Sequence, residues 1–220
     1  MKLSSTVTLI CRHFAPYKSI FVGLTDGKLQ ISHKMLRRGK NNVTFEAHLD
    51  SDAGPGTYGY FTFGISRQMT QEIDYPKHPL SVKPQMGKKL IPHNAAPNFL
   101  TNFDRIHATG PELLSGADNP DITVWSRHVD PYSHEGVTTL IALTDAPPAA
   151  LTALTQLNAL SSMNWNITML RDNPTTTNGW FLLRTATKYI GHGYSSQEMQ
   201  VWNNDGDRIM DCIQHIAIFT

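Results

Sequence analysis

Two polar residues in the second half of the chain stand where a purely structural acid or amide is out of place. Asp145 closes a helical pattern, and the C-terminus of a helix carries the negative end of its macrodipole, which disfavours an anion. Gln214 shares a strand face with Ile216 and Ile218, so its amide needs partners inside an apolar layer. Between them in sequence, Ser162 offers a hydroxyl at the head of an alternating strand, where a turn residue would serve as well. A carboxylate, a hydroxyl and an amide accept protons and exchange hydrogen bonds; none of them points to thiol or metal chemistry.

The other reactive side chains have plainer readings. Cys11 and Cys212 lie in apolar, strand-like runs and read as buried reduced thiols. Arg37, Arg38 and Lys40 form a basic hairpin that could meet phosphates but reads first as a solvated turn. No histidine or cysteine spacing resembles a metal site, and no glycine-rich loop has phosphate-cradling spacing, so no metal or cofactor is expected.

The elements that must position these residues follow from periodicity. Val137, Leu140, Ile141 and Thr144 recur at helical spacing, predicting a helix over Glu135–Asp145 with Ser133 as its cap. Pro147 and Pro148 end it, and a second, shorter helix is expected over Ala149–Leu157. Met163, Trp165, Ile167 and Met169 alternate with polar neighbours as a half-buried strand does. Runs at Gly179–Thr185, Gln197–Trp202 and Met210–Phe219 complete a four-strand set, with Asn203 to Gly206 as a hairpin turn. Upstream, Phe99–Ala108 reads as a strand followed by an irregular stretch. Residues 3–67 read as strands at Val7–Leu9, Ser19–Leu24, Val43–Leu49 and Tyr58–Ile65. The proline-rich run 68–98 reads as a linker.

The two strand regions resemble each other. Leu3-Ser4-Ser5 and the strand ending at Arg12 match Leu160-Ser161-Ser162 and the strand ending at Arg171; Phe21 to Leu24 match Phe181 to Arg184; Ser32-His33-Lys34 match Gly191-His192-Gly193; Phe61–Ile65 match Ile216–Thr220. His33 and His192 then fall at equivalent places, which suits a structural hydrogen bond. Tyr60 falls near the position of Gln214. The first half has no counterpart of the strand and helix that precede the second repeat, so one site per chain is expected. The sequence reads as one that begins inside its own first domain: an incomplete half over 1–67, the linker over 68–98, and a complete half over 99–220.

A strand, a central helix and four antiparallel strands is the order of a hot-dog unit, and two in tandem resemble the acyl-CoA thioesterase II-like family. The resemblance rests on Leu140-Ile141-Ala142-Leu143-Thr144-Asp145-Ala146, on Ser162 to Arg171, on Gly179-Trp180-Phe181-Leu182-Leu183 and on Gln214. It implies an α+β double hot-dog whose antiparallel sheet wraps around a central helix, the first half lacking its N-terminal strand and helix. It also implies that Asp145, Ser162 and Gln214 are catalytic and hold a water for attack on the thioester of an acyl-CoA substrate. A non-catalytic acyl-CoA-binding protein is the alternative. A dehydratase-type hot-dog enzyme is a third reading, but His134-Glu135 precedes the helix instead of lying within it.

The bulk composition agrees with a folded enzyme and narrows its partners. At 220 residues and 40% hydrophobic content the chain can bury a sizeable core. Nineteen basic against eighteen acidic residues leave a net charge of +1, so neither nucleic acid nor an anionic membrane is an expected partner. No apolar run approaches bilayer length and the start is not a signal peptide, which leads to an expected cytoplasmic location. The hot-dog resemblance implies sheets that pair edge to edge, and a chain with an incomplete first half has more reason to associate, so a homo-oligomer, dimer or larger, is expected.

Overall fold

The computed structural model describes residues 16–21, 27–74, 76–78, 81–90, 98–145 and 148–220, with the backbone path alone for 16–21. The expected strand at Val7–Leu9, Cys11, the first repeat motif at Leu3–Arg12 and Pro147 lie outside these residues.

Among the described residues, eleven antiparallel strands form one sheet. They are β1 (Pro16–Phe21), β2 (Leu29–Arg38), β3 (Asn42–Ser51), β4 (Gly54–Gly64), β5 (Lys88–Lys89), β6 (Phe103–Thr109), β7 (Asp121–His128), β8 (Ala159–Met169), β9 (Phe181–Gly191), β10 (Tyr194–Trp202) and β11 (Arg208–Phe219). Their order across the sheet is β2-β3-β4-β1-β8-β11-β10-β9-β7-β6-β5. β1 and β8 pair at the centre, and outward from each runs the fourth, third and second strand of its own set. The order β1-β4-β3-β2 thus mirrors β8-β11-β10-β9, a pseudo-two-fold arrangement of the two strand sets. It agrees with the match of Phe61–Ile65 to the end of β11, but it makes β1, which holds Phe21, the counterpart of β8 and not of β9, so the expected match of Phe21 to Phe181 is not borne out. β7, β6 and β5 extend the second half only.

Among the described residues, two short α-helices lie on one face. Helix α1 (Val137–Leu143) starts after Gly136, whose φ of 101° a residue with a side chain would adopt only under strain. It sets Leu140 and Leu143 on Trp165, Ile167, Met169, Phe181, Leu183, Met199 and Val201. Burial of each leucine contributes about 1.5–3 kcal/mol. Helix α2 (Ala150–Ala153) packs through Ala150 on Ile216 and Ile218. A helix held against an antiparallel sheet is the hot-dog arrangement expected from the sequence. The sheet's other face carries Trp125, Trp180, Leu182 and Trp202.

Several sequence expectations are corrected. Ser133 does not cap α1; it lies in a separate 3-10 turn, Pro131–Ser133, and its hydroxyl donates to Asp130 at 3.1 Å. The second helix ends four residues early, at Ala153. The expected strand from Phe99 starts at Phe103, after a 3-10 turn. The irregular stretch after it contains β7, a central strand whose residues Ile122–Ser126 are buried on both faces and so do not alternate. β2, exposed along its whole length, was also missed. His33 and His192 are not equivalent: His33 sits in the middle of β2, whereas His192 occupies the β9–β10 turn at φ 52°. Met163 is exposed because a bulge near it breaks the alternation that buries Trp165, Ile167 and Met169.

The proline-rich run is not free of structure. It contains a 3-10 turn (Pro84–Met86) and β5, and it is fastened to the second half. The Val82 carbonyl accepts from the Trp125 indole at 2.6 Å, the His78 N–H donates to the Gly206 carbonyl at 2.8 Å, and the His78 ring lies 4.7 Å from that of Trp202. These contacts lay the segment over the tryptophan face.

Candidate active site

On β11 the residues facing the helices are Met210, Cys212, Gln214, Ile216 and Ile218. Met210 and Cys212 belong to the apolar cluster under α1, and Ile216 and Ile218 to the one under α2. Gln214 lies between them, only 1% exposed, so its amide must be satisfied from within the protein.

Two hydrogen-bond partners satisfy it, and a third polar group lies beside it. Its Nε2 donates to the Ser162 hydroxyl on β8 at 3.0 Å and its Oε1 accepts from Gln197 Nε2 on β10 at 2.7 Å, while the Asp145 carboxyl lies near enough for the amide to favour its charged form. The three residues singled out in the sequence are therefore brought together around one amide. Gln197 was not singled out. It is fully buried, directly opposite Gln214 in the β10–β11 register, and its Oε1 accepts from the Ala149 N–H at 3.2 Å. The available signal was its place on the same face as Met199 and Val201, where a glutamine is as anomalous as Gln214 is among isoleucines.

Asp145 follows α1 directly. Thr144, wholly buried, caps the helix by donating its N–H to the carbonyls of Leu140 and Ile141 and its hydroxyl to Ile141 at 2.8 Å. Arg105 on β6 then donates from Nη2 to the Asp145 carbonyl at 2.9 Å. Burial pushes the Asp145 carboxyl above its ordinary value, while the Gln214 N–H and the Arg105 charge pull against that. Burial lowers Arg105 to about 10, still protonated at neutral pH. Arg105 too was missed in the sequence, because an arginine that is 6% exposed is contrary to the usual placing of charge.

The hydrogen-bond roles decide what this arrangement can do. Because the Ser162 oxygen accepts from Gln214, its proton is free to be donated, and the Asp145 carboxyl beside Gln214 has acceptor capacity to spare. A carboxylate acceptor beside a free hydroxyl can orient a water and take its proton. Among the described residues no group of three or more His, Cys, Asp or Glu could hold a metal ion.

The other candidates lie apart from this network. His134 borders a surface cavity of about 310 Å³ with Tyr132, Glu135 and Asn178, and its Nε2 is held to the His128 carbonyl at 2.9 Å. Arg37, Arg38 and Lys40 are exposed. Tyr60 is 38% exposed and donates to Glu46 at 3.1 Å, an environment unlike that of Gln214. Cys212 is a free, buried thiol that burial pushes well above its usual range.

Comparison with known proteins agrees with this architecture. The family model described as the acyl-CoA thioesterase C-terminal domain matches residues 76–218. A conserved hot-dog protein of unknown function from Alicyclobacillus acidocaldarius superposes with a TM-score of 0.79 at 17% identity, covering 95% of this chain and 80% of the other. The tesB protein of Mycobacterium avium subs paratuberculosis gives 0.71 at 14% identity, covering 97% and 81%. An acyl-CoA thioesterase II, TesB2, from Mycobacterium marinum gives 0.67 at 14%, covering 94% and 80%. No curated protein matches the chain.

Proposed function

Because the chain belongs to the acyl-CoA thioesterase C-terminal domain family, we propose that it hydrolyses an acyl-CoA thioester to the free acid and coenzyme A. The observation that carries this reading is the meeting of the hydrogen-bonded pair Ser162 and Gln214 with the Asp145 carboxyl beside it, between two apolar clusters. Asp145 accepts a proton from a water held between it and the Ser162 hydroxyl, and the water oxygen bonds to the thioester carbonyl carbon. Collapse of the tetrahedral intermediate breaks the C–S bond, and the proton on Asp145 passes to the leaving thiolate. Neither a metal nor a covalent intermediate is needed, since a thioester carbonyl is already electrophilic and the protein's task is orientation and proton transfer.

The test is release of coenzyme A thiol from short, medium and long acyl-CoAs. Hydrolysis of at least one of them, lost in Asp145→Asn while the fold is kept, is the expected result. Absence of turnover with every chain length refutes it, and retention of acyl-CoA without turnover replaces it with a binding function.

The same reading sets the protein in the cytoplasm as a homo-oligomer. Support for association is the β2 edge, where Leu29, Ile31, Met35 and Leu36 are all exposed. Among the described residues no helix is long and apolar enough to cross a membrane.

A further inference from the structure

We propose that Gln197 is a positioning residue that holds the Gln214 amide with its NH2 toward Ser162 and Asp145, so that Gln214 meets the carboxylate only as a donor. The inference rests on the hydrolytic reading of the site and adds to it a residue that touches neither substrate nor water.

The direction of the chain of hydrogen bonds carries the argument. A side-chain amide presents an oxygen on one side and an NH2 on the other, and its orientation is set by its partners. The Ala149 N–H is a main-chain donor and has no alternative role. It requires the Gln197 oxygen on its side, at 3.2 Å, which turns the Gln197 NH2 toward Gln214. Gln214 must then answer with its oxygen, at 2.7 Å, which leaves its own NH2 for Ser162, at 3.0 Å, and for Asp145. One backbone N–H thus fixes two side-chain amides in sequence. Both glutamines are essentially without exposure, so water is not at hand to satisfy a flipped form.

Without this constraint Gln214 has a second state. Rotated by half a turn, it sets its oxygen against the Asp145 carboxyl, a contact that is favourable only when Asp145 carries a proton. Gln197 excludes that state by facing the rotated Gln214 NH2 with its own NH2. It thereby favours the ionised Asp145 that accepts a proton from water. The charged group facing Asp145 is Arg105 on β6, while β8, β10, β11 and the start of α2 present Ser162, Gln197, Gln214 and Ala149, none of which titrates near neutrality.

Two substitutions test this in the full chain. Gln197→Met keeps length and removes both hydrogen bonds. Expected are a kcat lower by about tenfold, the loss of a hydrogen bond's worth of orientation, with KM unchanged. The acid limb of the pH–rate profile moves to higher pH, as does the carboxyl titration of Asp145 followed by NMR. Gln197→Glu retains the donor and acceptor pattern only while the new carboxyl is protonated, so its activity approaches wild type at low pH and falls as that group ionises. This second variant decides the matter if the first does not fold. An Asp145 titration unmoved in Gln197→Met, or a Gln197→Glu profile that parallels wild type, overturns the proposal. Wild-type protein without hydrolytic activity instead sinks the hydrolytic reading, and the NMR titration still tests the positioning role.

Discussion

Replacement of Asp145 by Asn is expected to stabilise the protein while it removes activity. The wild-type carboxylate is enclosed near the C-terminus of α1, and burial pushes its pKa up despite Gln214 and Arg105. Asn relieves the desolvation of a charge, worth about 1–3 kcal/mol, and the unfavourable helix-end interaction, worth about 0.3–1 kcal/mol. Against this, the Gln214 N–H exchanges a charged acceptor for a neutral one, a loss of about 1 kcal/mol. The balance is a gain of about 1 kcal/mol, or roughly 2–4 °C in Tm for a chain of this size. The sign with pH follows from linkage. A carboxyl whose pKa is raised on folding contributes stability at low pH, and that contribution is lost as pH rises through its folded value. The advantage of Asn is therefore full above that value and shrinks as pH falls toward the ordinary carboxylate range. Thermal unfolding of both proteins at pH 7.5 and at acid pH measures the difference, and thiol release measures turnover, which should fall by about 10²–10⁴-fold with loss of the proton acceptor. An Asn variant that is active, or that is less stable than wild type at pH 7.5 and equally so in acid, refutes the placing of a strained, working carboxylate at this point.

Arg105→Met removes a charge-assisted bond to the Asp145 carbonyl, but also a buried guanidinium whose Nε has no partner, so stability should drop by no more than about 1–2 kcal/mol. The acid limb of its pH–rate profile should move to higher pH, because the charge that opposes protonation of Asp145 is gone; an unmoved limb would show that Arg105 acts only in packing. Gly179→Ala sets a Cβ 2.5 Å from the His134 ring at a φ of +73°, and a loss of about 1–3 kcal/mol in denaturant unfolding is expected, with none observed counting against the close contact. Trp125→Phe deletes the indole bond to the Val82 carbonyl and should cost about 1 kcal/mol, with faster hydrogen exchange confined to residues 76–90 if that segment is fastened as described.

Alternation in the sequence was enough to assign Trp165, Ile167 and Met169, though not Met163, to the buried face of β8 and to place Gln214 with Ile216 and Ile218, because side-chain direction along a regular strand is a local property. The Asn203 turn was legible for the same reason: its Oδ1 accepts the N–H groups of Asp205 and Asp207 within the turn itself. Asp145 could be suspected from helix electrostatics alone. β7 and β2 were not legible, one buried on both sides and the other on neither, so that neither alternates. The position of Ser162 opposite Ile216, and its reach to Gln214, depends on a bulge in the β8–β11 pairing that no local pattern records. Gln197 and Arg105 are the clearest cases. Each is an ordinary polar residue in its own strand, and each acquires its role only from what another strand or helix sets beside it. The sequence by itself determined which side chains turn inward only along the strands that alternate, such as β8 after its bulge and β11. Which inward polar groups meet was decided by register and packing between segments distant in the chain, since a buried amide takes its orientation from its partners and not from its neighbours in sequence.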